Sequence, residues 1–111
     1  MKVLLLENNL LWSQRLRMGV QHLGAEALLN RPDAEAEVAI VNLAEADATT
    51  IRTLKRRGCV VIGHAGHKEK QLIEYAKAAG CDRIVTNGAL THNLERILKE
   101  ATGARQFRTD D

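Results

Sequence analysis

The sequence predicts a doubly wound α/β domain built on a parallel sheet of five strands. Short aliphatic runs alternate with amphipathic stretches of helical period, and glycines punctuate the ends of those stretches. Strands and helices alternating in this way are joined by right-handed crossovers, which bury the sheet on both faces. The first strand is Lys2 to Leu6, an apolar run of the kind found in parallel sheets. From Leu10 to Leu23 the apolar positions recur every three or four residues, through Leu16 and Val20, with Arg15, Arg17 and Gln21 on other faces. That is an amphipathic helix, and Gly24 is placed to close it in a left-handed cap.

The same unit then repeats. Ala25 to Asn30 can form a second strand, but RPDAEAE leaves room for one helical turn at most, so the helix between the second and third strands is expected to be short or missing. Val38 to Leu43 is the third strand, followed by a helix from about Ala48 to Arg57 that Gly58 closes. Cys59 to Ile62 is the fourth strand, followed by a helix from about Lys68 to Ala79 that Gly80 closes. Arg83 to Thr86 is the fifth, followed by one helix from about Leu90 to Ala101 before Gly103. One domain over residues 1–103 and a frayed tail over 104–111 account for the chain.

Composition narrows the function classes. Hydrophobic residues are 45% and charged residues 27% of the chain, the balance of a globular domain. Trp12, Tyr75 and Phe107 are the only aromatics, so the core must be aliphatic. A net charge of +2 implies neither nucleic acid nor membrane. No run approaches the roughly 20 apolar residues of a membrane span, and the opening MKVLLLENN reads as a strand rather than a signal peptide. A cytoplasmic location and free thiols at Cys59 and Cys81 are the expectation. No Gly-rich phosphate loop, nucleophile elbow, CxxC or HExxH motif is present, so no enzymatic activity and no cofactor are expected.

Three segments carry a family resemblance: KVLLLENN, VAIVNLA and VVIGHAGHKEKQLIEYAKAAGCDRIVTNGAL, the last with its AxxAG step into a final strand and helix. Over residues 1–102 the chain resembles the receiver domains of two-component response regulators. The resemblance implies a flavodoxin-like sheet in the order 2-1-3-4-5 with its functional edge at the carboxyl ends of the strands. It also places five positions of the receiver phosphorylation site. Glu7 and Asn8 stand where two acids hold Mg2+, and Asn42 where an aspartate accepts phosphate. Ala65 stands in place of a hydroxyl residue, and Asn87 in place of a lysine. A carboxamide is not a nucleophile toward phosphoryl donors, and one carboxylate among neutral amides is a poor cage for a hard cation. The resemblance is therefore to a pseudo-receiver, with no catalytic residue and no metal.

Other constellations have competing explanations. His64 and His67, read as a loop after the fourth strand, could join Glu7 in holding a transition metal, or could be an ordinary polar rim. With Lys68 they could bind an anion at a helix start, against plain helix-start chemistry. The basic run Arg52, Lys55, Arg56 and Arg57 fits a solvated helix C-terminus, so direct nucleic-acid binding is not expected. The leading expectation is a regulatory protein-interaction module, self-associating as a homodimer or binding another protein. Its face is expected around Tyr75, Ala76, Ala79, Ile84 and Leu94, residues that could equally just pack helices onto the sheet. The alternative is a small-molecule or anion sensor using Glu7, Asn8, Asn42, His64, His67 and Asn87 at the strand-end mouth.

Overall fold

A computed structural model describes residues 1–103; the expected tail, 104–111, lies outside them. Its elements are β1 (Lys2–Leu6), α1 (Leu10–His22), β2 (Glu26–Leu29), β3 (Val38–Asn42), α2 (Ala48–Arg56), β4 (Val60–Ala65), α3 (Lys70–Ala79), β5 (Arg83–Thr86), α4 (Asn87–His92) and α5 (Leu94–Thr102). The strands form one sheet in the order β2-β1-β3-β4-β5, with every neighbouring pair parallel. This is the expected order. Among the described residues no helix is long and apolar enough to cross a membrane.

Strand alternation divides the core into two layers. Val3, Leu5, Ile40 and Ile62 pack with Leu16 and Val20 of α1, Leu90 of α4 and Ile97 and Leu98 of α5. Leu4, Val41 and Val61 face the other way, onto Ile51 and Leu54 of α2 and Ala76 and Ala79 of α3. Each fully buried aliphatic side chain contributes about 1.5–3 kcal/mol by leaving water. Truncating Leu4, which has no exposed surface, to alanine removes about 2–5 kcal/mol including the cavity left behind.

Local chemistry sets the ends. Asn9 caps α1 through Oδ1, which accepts from the Trp12 N–H at 3.0 Å, and Asp47 caps α2 by accepting from the Thr50 N–H at 2.9 Å. Gly80 closes α3 at φ 102°, a left-handed geometry in which a Cβ would be strained. Between β2 and β3 no helix forms. The segment from Asn30 to Glu37 crosses in turns, held by Arg57 Nη1 donating to the Pro32 carbonyl at 2.5 Å and by Cys59 Sγ donating to the Ala36 carbonyl at 3.2 Å.

Three boundaries differ from expectation. β4 runs on to Ala65 because its register continues alongside β5, pairing His64 with Val85 and Ala65 with Thr86. α3 starts at Lys70 rather than Lys68, after a turn in which the Glu69 N–H donates to the Gly66 carbonyl at 3.0 Å. The single last helix is two helices, broken at Asn93 with φ −130° and ψ 31°. The break lets Leu90 and the Ile97–Leu98 pair reach the same core layer. It also seats Leu94 against Gly19, where an added Cβ would stand 2.7 Å from Leu94 Cδ2.

Candidate functional site at the strand ends

The carboxyl edge of the sheet gathers four residues distant in sequence. Glu7 follows β1, Asn42 ends β3, His64 lies near the end of β4 and Asn87 opens α4. The Glu7 backbone is fixed by Asn30, which follows β2 at φ 50°. Asparagine is one of the few residues that tolerates that conformation. The Glu7 N–H donates to Asn30 Oδ1 at 2.9 Å, and Asn30 Nδ2 donates back to the Glu7 carbonyl at 3.0 Å. The side-chain amide thus extends the β1–β2 ladder by one residue.

So held, the Glu7 side chain points inward and has no exposed surface. Asn42 Nδ2 donates to its two oxygens at 2.9 and 3.2 Å, and the Asn9 N–H donates to Oε2 at 3.2 Å. His64 Nε2 lies 3.1 Å from Oε1 but out of line for a hydrogen bond, leaving Nε2 without an aligned partner. On the far side of the ring, Nδ1 is 2.6 Å from Asn87 Oδ1. That contact makes Nδ1–H the donor with the amide oriented as placed. Asn42 Oδ1 in turn accepts from the Ala44 N–H at 3.0 Å. A polar chain Asn42–Glu7–His64–Asn87 therefore crosses from β3 to α4, and its central pair is buried. Trp12 of α1 stands over it, its ring centroid 6.5 Å from that of His64.

The arrangement restricts the chemistry available. Asn42 offers no nucleophile. Mg2+, which the receiver resemblance implies, needs accessible charged oxygens. Glu7 is sealed and its oxygens are already satisfied, while Asn8 is exposed with its N–H donating to Glu45 Oε1 at 2.8 Å. The donor set does not fit that ion. Ala65 is buried at the end of β4 and brings no hydroxyl.

The histidine pair does not converge. His64 belongs to the strand and is buried, whereas His67 is exposed beyond it, so the two do not share the loop on which a joint metal or anion site was weighed. Among the described residues no group of three or more His, Cys, Asp or Glu could hold a metal ion. The start of α3 is preceded by Glu69, with no side-chain cap, and a carboxylate there opposes an anion.

The expected interaction face is also corrected. Ala76 and Ala79 are buried under α3, and Ile84 is half-buried in the same layer. Leu94 packs in the opposite layer, beside α1. Tyr75 is half-buried, its hydroxyl within donating distance of the Leu43 carbonyl at 3.0 Å and closely approaching that of Ala46. It straps α3 to the loop after β3. The five residues share no surface.

Elsewhere the basic run is largely occupied internally: Lys55 pairs with Asp82 at 2.8 Å and Arg57 lies 3.5 Å from Asp33. Both cysteines are free, Cys59 buried and Cys81 half-buried. Sequence reasoning missed Asn30 and Trp12. An asparagine directly after a strand run is a usable signal for the first; for the second there was none, since Trp12 reads as one more apolar helix position.

Comparison with solved structures agrees with this fold. A two-component response regulator from Clostridium difficile superposes with TM-score 0.79 at 14% identity, over 96% of this chain and 98% of that one. The receiver domain of a sensor histidine kinase from Pseudomonas aeruginosa, with a magnesium ion in its active-site cleft, gives 0.77 at 15% identity over 92% and 97%. RcsB from Salmonella enterica, bound to a promoter, gives 0.72 at 15% over 90% of this chain and 67% of that one. No protein-family model and no curated protein matches the sequence. At these identities the likeness is one of fold, and that fold is the flavodoxin-like sheet of receiver domains.

Proposed function

We propose that this chain is a pseudo-receiver: a regulatory module of two-component type that works without phosphorylation, through contact with another protein. The observation that carries the reading is the polar chain Asn42–Glu7–His64–Asn87. In the Pseudomonas aeruginosa receiver a magnesium ion occupies the active-site cleft; at the strand ends here, amide and imidazole groups fill the space and satisfy the one buried carboxylate. A buried carboxylate held by several hydrogen bonds is a structural element, and opening it to admit a cation would cost the interactions that hold it. The same occupancy weakens the small-ligand alternative, because Glu7 and Asn42 engage each other and Asn87 engages His64. The domain acts as no enzyme, and its functional asset is its surface.

The test is incubation with acetyl phosphate, and separately with beryllofluoride, in Mg2+. Mass, tryptophan fluorescence (Trp12 overlies the site) and sedimentation should be unchanged. Stoichiometric acid-labile phosphate on the protein would overturn the reading.

A further inference from the structure

β2 forms one edge of the sheet, and its hydrogen bonds show which groups that edge leaves open. The Glu26 N–H donates to the Met1 carbonyl at 2.8 Å, and the Asn30 N–H to the Leu5 carbonyl at 2.7 Å. Strand groups alternate from side to side, so Glu26, Leu28 and Asn30 face β1 while Ala27 and Leu29 turn their N–H and C=O outward. Edge strands are ordinarily blunted by a lysine, a proline, a bulge or a charge at an outward position. β2 carries none of these. Its register with β1 runs without a bulge, and its outward positions are an alanine and a leucine whose side chains pack on the α1 side of the sheet. The other edge differs. In β5 the Asp82 N–H donates to the Val61 carbonyl at 2.8 Å, which puts Arg83 at an outward position, its charge held by Glu100 at 2.9 Å. On the face away from α1, no helix follows β2, and Asn30 to Glu37 crosses in turns. Opposite charges bracket the open strand: Glu26 begins it and Arg31 stands just past its end, both exposed. Among the described residues neither has an ion-pair partner.

We propose that β2 pairs with β2 of a second copy of this chain, antiparallel about a two-fold axis at Leu28, so that the two sheets become one. About that axis Ala27 of each copy stands opposite Leu29 of the other, and the outward N–H and C=O groups of both residues are all satisfied across the interface. Leu28 meets its own copy at the position of closest side-chain approach. Glu26 comes opposite Asn30 of the other copy and beside Arg31, so each unpaired charge gains a partner of opposite sign. Those charges select a second copy over an unrelated strand, because the edge is its own complement under a two-fold axis. A pair of four-residue strands is a small interface, so the dimer forms and dissociates in the micromolar range rather than the nanomolar. The pairing goes beyond the pseudo-receiver reading and uses none of Glu7, Asn42, His64 or Asn87.

Amide hydrogen exchange on the intact chain, read by NMR, tests the pairing residue by residue. The Glu26 and Leu28 amides should be protected at every concentration. Those of Ala27 and Leu29 should become protected only as concentration rises, in step with dimer formation by sedimentation. Ala27→Pro removes an outward N–H without touching the bonds to β1; it should abolish the dimer and leave circular dichroism unchanged. Glu26→Arg and Arg31→Glu, both at exposed positions, should each weaken association about tenfold, and the two together should restore it. Should Ala27→Pro fail to fold, the charge swap, which leaves the backbone alone, decides. A chain that stays monomeric into the high micromolar range, a dimer that survives a folded Ala27→Pro, or a charge swap without rescue overturns the proposal. Protection of Ala27 and Leu29 by an added extended peptide, in place of self-association, overturns it too and gives the edge to a partner's strand. Failure here with phosphorylation still absent leaves the pseudo-receiver reading standing. Phosphorylation by acetyl phosphate removes that reading whatever the oligomeric state.

Discussion

Asn42 Nδ2 donates to both carboxylate oxygens of Glu7, at 2.9 and 3.2 Å. The carboxamide supplies what an aspartate at this position could not, a donor facing a buried carboxylate. Asn42→Asp would therefore fail to create a phosphoacceptor simply by restoring the acid. Two carboxylates would meet at about 3 Å, that of Glu7 buried and that at position 42 half-buried, and the stability lost is about 3 kcal/mol. Urea unfolding at pH 7 measures it, and phosphate incorporation from acetyl phosphate should stay at background. A variant as stable as the parent would contradict the role given to this contact.

Glu7 and His64 should be energetically coupled. Removing one member of a buried pair leaves the other without compensation, so Glu7→Gln and His64→Gln should each destabilise by about 2 kcal/mol or more. The double variant should cost less than the sum, with a coupling energy of about 1–3 kcal/mol in a double-mutant cycle. Additive losses would mean that the 3.1 Å approach contributes nothing and that Nε2 is merely tolerated.

The legible and illegible parts of the molecule divide along a physical line. Aliphatic runs such as VLLL and VAIV announce strands because parallel strands are buried on both faces, and Gly80 announces a helix end because its φ suits few other residues. The polar chain of the site depends on strand order, which brings residues 7, 42, 64 and 87 to one edge. The receiver resemblance supplied that edge and three of the four residues in their places. It could not show that His64 turns inward, because GHAGH looks like a loop until the β4–β5 register carries the strand through it. The break at Asn93 was hidden for a related reason: THNLERILKE keeps helical period across it, and the packing of Leu94 on Gly19 decides. The receiver resemblance suggested an interaction surface on α3, whereas Ala76 and Ala79 are buried in the core layer beneath the helix.

Tyr75 is predicted to matter for stability before it matters for contact. Its hydroxyl serves the loop carbonyls of Leu43 and Ala46, so Tyr75→Phe should cost about 1 kcal/mol by leaving them unserved. Tyr75→Glu should cost more, since a carboxylate has no proton to give and is repelled by the same carbonyls. Thermal unfolding of the two variants decides; a stable, well-folded Tyr75→Glu would return Tyr75 to the exposed surface that the sequence suggested.

Cys81 provides a pH signature. Burial, reinforced by the neighbouring Asp82 charge and only partly offset by Lys55, pushes its thiol up to about 11 from an ordinary value of 9.0. The sign follows from proton counting. Between these values the unfolded chain has released the thiol proton while the native state keeps it, so the native state binds more protons and stability falls as pH rises. Below pH 9 both states hold the proton and the contribution is flat; above 11 both have lost it and the slope from this group ends. Cys81→Ala should therefore be less steeply destabilised than the parent between pH 9 and 11 in urea unfolding under reducing conditions. The half-buried thiol should also react more slowly than a free cysteine with a thiolate-selective reagent at pH 8, because less of it is ionised there. Parallel pH profiles for parent and variant, together with ordinary thiol reactivity, would show that the pocket around Cys81 is wetter than its packing against Tyr75 and the second core layer requires.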